Sequence, residues 1–237
     1  AKVFFDASRN GVTNGIHDPD EPFVLSNESG EYDIEFTDEQ FALFDLNGND
    51  EIDDDEGLLV CLGGTDVSSG LKLDVAYKAP PTSSVVTPLT TLVAEMVERG
   101  TDAIEAQYLV KSTLGIDSSV DILGFDALSE AASGNAKAVD VLAAGTQVAN
   151  TVVQTTALLS AATEGVQSSS LISASATRAL VEELTKVDNS SFDLTNIQTV
   201  FKVVNEATRQ VGVDLPEGGT ASAATLISIV NEIVEEG

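Results

Sequence analysis

The chain has 237 residues, of which 43% are hydrophobic, and 39 acidic against 11 basic residues give a formal net charge of −28 at pH 7. This length and apolar content are enough to bury a core, which excludes a disordered chain. The acidic excess excludes nucleic-acid binding and docking on anionic lipid, because both need clustered Lys and Arg.

The acidic residues are concentrated at the N-terminal end of the chain. Seventeen of them precede Gly57, where only Lys2 and Arg9 oppose them. A uniform adaptation to salt would spread the charge along the whole sequence. The asymmetry therefore favours cation binding at the N-terminal end.

The first 80 residues predict a small region of strands and loops. The run KVFF at 2–5 is strand-like, and EYDIEF at 31–36 alternates apolar and acidic residues as a half-buried strand does. The segment 71–79 alternates in the same way. Paired prolines in KAPPTSSVV then predict a connector, which divides the chain into 1–80 and 81–237.

The second part of the chain predicts helices throughout. Cap residues, glycine stops and apolar periodicity place them at 88–99, 102–114, 119–132, 135–162, 170–187, 193–211 and 220–235. The fourth is rich in Ala, Val and Thr on nearly every side, which is typical of the central helix of a bundle. The predicted fold class is therefore α+β, mostly α: a loop and strand region followed by a bundle of about six to seven helices.

The last two predicted helices have clear apolar faces. We expect Asp193 and Thr220 to be their N-caps. The core-facing positions predicted from the helical period are Leu194, Ile197, Val200, Phe201, Val204, Ala207 and Val211 in one, and Leu226, Ile227, Val230, Ile233 and Val234 in the other.

The stretch FDLNGNDEIDDDEG at 44–57 has the spacing of a calcium loop. Calcium takes six to eight hard oxygen ligands, and a twelve-residue EF-hand loop supplies them from positions 1, 3, 5, 7, 9 and 12. The matching residues are Asp45, Asn47, Asn49, the carbonyl of Glu51, Asp53 and Glu56. Asp50 stands at position 6, where glycine is expected, and must adopt a left-handed backbone. The alternative is a solvated acidic loop without metal.

A second calcium loop is predicted in FDASRNGVTNGIHDPDEP at 5–22. Counting forward, Asp6, Ser8 and Asn10 begin such a loop, whereas counting back from Glu21 places Asn10 first and Gly15 sixth. The two registers differ by four residues, as though residues were inserted. An enlarged loop would use Asp6, Asn10, Asn14, Asp18 and Glu21 together. His17 is predicted to be a loop residue, since calcium does not favour imidazole.

These motifs resemble known calcium modules over roughly the first 95 residues. VFFDASRNG…DPDEP and LSNESGEYDIEF resemble the B-type repeats of serine-aspartate surface adhesins, and FDLNGNDEIDDDEG resembles dockerin, thrombospondin type 3 and EF-hand loops. SSVVTPLTTLV looks like a helical segment that follows such loops in marine bacterial and cyanobacterial surface proteins. The resemblance implies calcium ligation by Asp6, Asn10, Asp18, Glu21, Asp45, Asn47, Asn49, Asp53 and Glu56. The stretch between Pro22 and NESGEY is shorter than in a full adhesin repeat, so a complete β-sandwich is not expected.

The leading functional hypothesis is a non-enzymatic, calcium-stabilised structural or adhesion module of an extracellular bacterial surface protein. The alternatives are a subunit of a calcium-dependent surface layer or filament, and a dockerin-like partner-binding module. Both involve a protein partner or self-association, and an unpaired apolar edge at KVFF would favour them. No segment is predicted to insert into a membrane, because polar residues interrupt the longest apolar run.

An enzyme is a weaker hypothesis. The chain has one histidine, His17, and one cysteine, Cys61, which lies in the apolar run LLVCLGG and is predicted to be a small buried side chain. A hydrolase with paired carboxylates stays open, although calcium accounts better for the clustered acids. An intracellular calcium sensor is weaker still, because sensors expose a Met-rich groove and this chain has one methionine.

Overall fold

The computed structural model describes residues 1–9, 11–65, 70, 72–73, 75–186 and 192–236. Within this part of the chain there are eight helices and one four-stranded antiparallel sheet, which confirms the predicted mostly-α α+β class. The chain forms two compact units, residues 1–107 with 122–124, and residues 108–121 with 125–237. The predicted division into 1–80 and 81–237 stays a prediction.

The first unit is built on a sheet with strand order β2-β1-β3-β4. The strands are β1 Lys2–Ala7, β2 Phe23–Leu25, β3 Gly57–Leu62 and β4 Tyr77–Ala79. Strand β1 pairs with β2 on one side and with β3 on the other. In the β1–β3 register Ala7 lies opposite Gly57. The strand predicted at KVFF is confirmed, but it is interior and buried, and it offers no free edge to another chain.

The strand predicted at 31–36 is absent, although its burial pattern is as expected. Tyr32, Ile34 and Phe36 are half-buried while the intervening residues are exposed. These three side chains pack against a core cluster that includes Phe5 and Phe44. The alternation therefore follows from packing of side chains on one face, without a neighbouring strand to form a hydrogen-bonded ladder.

The helices largely follow their predicted positions. They are α1 Asp38–Phe44, α2 Pro88–Val97, α3 Ala103–Thr113, α4 Ala127–Ala132, α5 Lys137–Ala162, α6 Ser169–Lys186, α7 Ile197–Val211 and α8 Gly219–Glu236. The helix predicted at 119–132 is shorter, because only α4 is helical there. The strand predicted at 71–79 is formed only at β4, and residues 71 and 74 lie outside the described residues.

In the second unit, α5 is the central helix, as predicted, and it contacts α4, α6, α7 and α8. The caps of the last two helices differ from the prediction. Asn196 caps α7 by accepting from Gln198 N at 2.8 Å, in place of Asp193. Helix α8 already begins at Gly219, so Thr220 lies inside it. None of the described helices combines the length and the apolar character that a membrane span needs.

Candidate metal centre

The second predicted loop follows α1 and leads into β3. Thr37 begins α1 with a reciprocal capping box with Gln40, and the helix ends at Phe44, one residue before Asp45. Because Glu56 immediately precedes Gly57, the first residue of β3, helix and strand fix both ends of the loop. Asp50 has φ of +66°, which confirms the left-handed backbone expected at the position of the usual glycine.

The side chains of this loop fold inward onto its own backbone. Asp45 accepts hydrogen bonds from the backbone nitrogens of Gly48 at 2.7 Å and Asp50 at 3.0 Å. Asn49 accepts from Glu51 N at 2.9 Å and donates through Nδ2 to Asp53 Oδ2 at 2.7 Å. The loop therefore has a defined shape of its own, which a solvated acidic tract does not need.

Glu56 closes the second loop from the inside. It is 2% exposed. Its Oε1 accepts from Leu46 N at 2.6 Å and Asn47 N at 3.2 Å, and its Oε2 accepts from Asp53 N at 2.9 Å. Among the described residues no ion pair involves Glu56. A buried carboxylate is thus held by backbone dipoles alone.

The first loop repeats this arrangement. Asp6 accepts from Asn14 N at 3.2 Å and Gly15 N at 2.6 Å, and Asn14 accepts from Ile16 N at 2.7 Å and donates to Asp18 Oδ2 at 3.1 Å. Gly15 has φ of +71°, as Asp50 has in the second loop. Asp6, Asn14 and Asp18 therefore take the places of Asp45, Asn49 and Asp53.

The closing glutamate is repeated as well. Glu21 is 3% exposed, and its Oε1 accepts from Ala7 N and its Oε2 from Asp18 N, both at 2.9 Å. Glu21 thus accepts from the backbone nitrogen of the residue after the first aspartate and from that of the aspartate three residues before it, as Glu56 does. The predicted insertion falls between Asp6 and Asn14, which are eight positions apart where Asp45 and Asn49 are four apart.

The remaining predicted ligands of the first loop do not all fall in this arrangement. Ser8 takes part through its backbone, because its nitrogen donates to Glu56 O at 2.7 Å and so links the two loops. Asn10 lies outside the described residues. His17 packs edge-on against Phe4 and Phe23, with Nε2 3.1 Å from Glu21 O, which supports a packing role.

Sequence reasoning missed two residues of this region. Arg9 pairs with Asp20 at 2.7 Å and lies 3.7 Å from both Asp18 and Glu21 Oε1. Gly57 lies so close to β1 that a Cβ atom there would be 2.3 Å from Phe5 Cζ. The only sequence signals were a lone cation in an acidic stretch and a glycine directly after the last predicted ligand.

Burial governs the electrostatics of Asp6, the first aspartate of the first loop. Asp6 is fully buried, and this burial raises its pKa to about 6, against the opposing effect of the hydrogen bonds from Gly15 and Asn14. The negative charge of Glu21 raises the pKa further, and Lys78 lowers it. An ionised Asp6 is therefore costly unless a positive charge approaches it.

The donor set fits calcium in kind, because it consists of carboxylate, amide and carbonyl oxygens. The carboxylates are not gathered around one point. Among the described residues no group of three or more His, Cys, Asp and Glu side chains is placed to hold a metal ion. Their oxygens instead accept hydrogen bonds from backbone N–H groups and from the side-chain amides of Asn14, Asn47 and Asn49. Binding would require these amides to turn and the carboxylates to converge.

The chain was compared with models of protein families, with curated proteins and with solved structures. None of the three comparisons finds a match. The resemblance of the loops to calcium modules therefore stays at the level of their sequence motifs.

Proposed function

We propose that the chain is a non-enzymatic structural module whose first unit is stabilised by calcium. The observation that carries this proposal is the repetition of one polar network in two loops of different length. Burying a carboxylate carries a desolvation cost, and both loops bury one with the same kind of backbone partners, so a bound cation would offset that cost in each.

Charge supports a cation as the ligand. Asp6, Glu21 and Glu56 are at most 3% exposed, and seventeen acidic residues precede Gly57. Each bound divalent ion would offset two of these charges and relieve the repulsion between neighbouring carboxylates. Calcium is favoured over magnesium because long, mixed-oxygen loops suit its variable coordination, whereas magnesium requires a tight octahedron.

The position of the loops explains how an ion would stabilise the fold. Asp6 lies in β1, Glu56 directly precedes β3, and Glu21 is followed by Pro22 and the β2 strand. The first loop therefore connects β1 with its neighbour β2, and the second loop leads into β3, the other neighbour of β1. An ion in either loop would hold a strand end, a turn and a buried glutamate together.

The environments of Cys61 and His17, the residue types that often take part in nucleophilic catalysis, are consistent with a structural role. Cys61 lies within β3 and is half-buried, less than predicted, and desolvation raises the pKa of its thiol. A raised thiol pKa lowers the fraction of reactive thiolate. His17 is engaged with two aromatic rings, as described above.

We propose an extracellular or cell-surface location, because weak extracellular calcium sites are kept occupied by millimolar external calcium. The alternative is a subunit of a surface layer or filament, or a dockerin-like module that binds a protein partner. The interior position of β1 removes KVFF as the contact for such a partner. Any contact of this kind has to use another surface.

Calcium titration by calorimetry, beside thermal melts with calcium, with magnesium and with chelator, tests the proposal. We expect two calcium ions to bind and the melting temperature of the first unit to fall on chelation. Glu56→Gln and Glu21→Gln should each remove one binding event, while Asp33→Asn, an exposed acid outside both loops, should remove none. Absence of binding, or equal effects of all three variants, would contradict the proposal.

A further inference from the structure

Asparagine is followed directly by glycine three times in the two acidic loops, at 10–11, 14–15 and 47–48. This dipeptide is prone to a spontaneous reaction, because glycine has no side chain to hinder the approach of its backbone nitrogen to the asparagine amide. The nitrogen attacks the side-chain carbonyl carbon and ammonia leaves. Hydrolysis of the resulting five-membered imide then gives aspartate or isoaspartate. Asn10 lies outside the described residues, so the structure bears on the other two dipeptides.

In both loops a carboxylate holds the glycine nitrogen that would attack. Gly48 N donates to Asp45 Oδ1 at 2.7 Å, and Gly15 N donates to Asp6 Oδ2 at 2.6 Å. The attack requires this nitrogen to lose its proton and to carry negative charge. A carboxylate that accepts its hydrogen bond stabilises the protonated form and repels an anion at the same place. The first aspartate of each loop therefore suppresses the reactive form of the nitrogen.

The amide group that would leave is restrained as well. Asn47 Nδ2 donates to Asp53 Oδ2 at 2.8 Å, and Asn14 Nδ2 donates to Asp18 Oδ2 at 3.1 Å. An amide nitrogen leaves as ammonia only after it gains a proton, which an ionised carboxylate cannot supply. The contacts of both asparagine nitrogens therefore oppose the second half of the reaction.

The side-chain oxygen of each asparagine, in contrast, is already placed for the reaction. Asn47 Oδ1 accepts from Asn49 N at 3.0 Å, and Asn14 Oδ1 accepts from Ile16 N at 2.7 Å. Attack by the glycine nitrogen turns this oxygen into an oxyanion, and a backbone N–H that already donates to it stabilises the developing charge. Each turn thus supplies one requirement of the reaction, while the first aspartate of the loop withholds another.

We propose that Asn14–Gly15 and Asn47–Gly48 are latent deamidation sites, protected as long as the first aspartate of each loop holds the glycine nitrogen. Opening of a loop frees this nitrogen, which then forms a bond to the asparagine Cγ as the bond from Cγ to Nδ2 breaks. Water opens the imide at either of its carbonyl groups. The product carries an additional negative charge, and isoaspartate also lengthens the backbone by a methylene group, so the loop cannot restore its hydrogen bonds in the same register.

Incubation of the full chain in mildly alkaline buffer with chelator, followed by peptide mapping in a mass spectrometer, measures the conversion of each asparagine. In the folded chain we expect Asn14 and Asn47 to react at least about tenfold more slowly than in the same chain unfolded by denaturant. Asp45→Ala should accelerate the reaction of Asn47 at least about tenfold and leave Asn14 unchanged. Asp45→Asn, which keeps an acceptor oxygen but not the charge, should accelerate it less.

Asn49→Ala is the matched control, because it removes two side-chain hydrogen bonds from the same loop but leaves the one from Gly48 N to Asp45 in place. It should accelerate the reaction of Asn47 much less than Asp45→Ala does. Equal acceleration by these two variants would overturn the inference. So would equal acceleration of Asn14 and Asn47 in Asp45→Ala, or a folded chain that reacts as fast as the unfolded one. The protecting hydrogen bonds need no ion, so a failure of the proposed calcium binding is a separate outcome.

Discussion

The two acidic loops achieve the same hydrogen-bond network with different chain lengths and different supports. The second loop has the twelve-residue spacing without an insertion and follows a helix. It buries Glu56 with no ion pair among the described residues. The first loop carries four more residues, starts within a strand, and has Arg9 beside Glu21 and Asp18. The equivalent residues are therefore defined by what they bond to and not by their count along the chain.

The additional residues of the first loop are anchored by a hydrogen bond to the end of α2. The Thr13 hydroxyl donates to Glu98 at the end of α2, and Glu98 also pairs with Lys78 at 2.9 Å. Extra residues can thus be added between the first aspartate and the turn, provided that they are anchored elsewhere. Four tests would break or sharpen this comparison between the loops.

The largest effect is expected at Gly57, the residue that follows Glu56. An added Cβ would lie 2.3 Å from Phe5 Cζ and 2.7 Å from Asp6 O, and Phe5 is fully buried. We expect Gly57→Ala to lower the free energy of unfolding by about 3 kcal/mol or more, because overpacking displaces both β1 and the second loop. Denaturant unfolding in chelator measures this. Gly219→Ala, whose Cβ would meet no atom closer than 3.3 Å, is the control and should change it by less than about 1 kcal/mol.

The next effect concerns the pH dependence of the first loop. Burial raises the pKa of Asp6 from 3.8 to about 6, so between these values the folded state binds more protons than the unfolded state. The free energy of unfolding of the metal-free protein should therefore fall as pH rises from about 4 to 6, by about 2 kcal/mol. Asp6→Asn should remove this part of the fall, while Asp45→Asn in the half-exposed second loop should leave it. Identical pH profiles for wild type and Asp6→Asn would contradict the account.

Replacing the closing glutamates, Glu56 and Glu21, should lower the free energy of unfolding by somewhat different amounts. Glu56→Gln turns one oxygen that accepts backbone N–H groups into a donor, which costs about 1–3 kcal/mol in the metal-free protein. We expect the loss from Glu21→Gln to be smaller, since Glu56 accepts three backbone hydrogen bonds and Glu21 accepts two. Chemical denaturation of both variants in chelator compares them. A larger loss at Glu21 would show that its proximity to Arg9 outweighs the count of hydrogen bonds.

The smallest effect concerns the left-handed position of each loop. Asp50→Gly should stabilise the second loop by less than about 1 kcal/mol, because glycine adopts φ of +66° without strain. Gly15→Ala should destabilise the first by about 1 kcal/mol through its backbone alone, since no atom lies within 4 Å of the added Cβ. Thermal melts resolve the opposite signs, and equal signs would contradict the equivalence of the two positions.

Local sequence determined most of the elements. Thr87 caps α2 and Pro88 begins it, as predicted, and a positive φ at Gly100 and at Gly115 follows α2 and α3, because caps and glycine stops act over one turn of chain. The shape of the second loop, including the left-handed backbone at Asp50, was predictable for the same reason, since its positions bond mainly to one another. Its calcium ligation stays a prediction. In the first loop the sequence provided both possible registers but could not choose between them.

Tertiary structure decided what depends on distant residues. Packing against Phe5 and Phe44 makes 31–36 extended without making it a strand, and the pairing of β1 with both β2 and β3 buries KVFF. The equivalence of Asp6 and Asp45 depends on contacts of Asp6 with Asn14 and Gly15. Periodicity identified apolar faces on α8, but only the packed bundle determined which of them is covered, because burial depends on neighbours that no local pattern specifies.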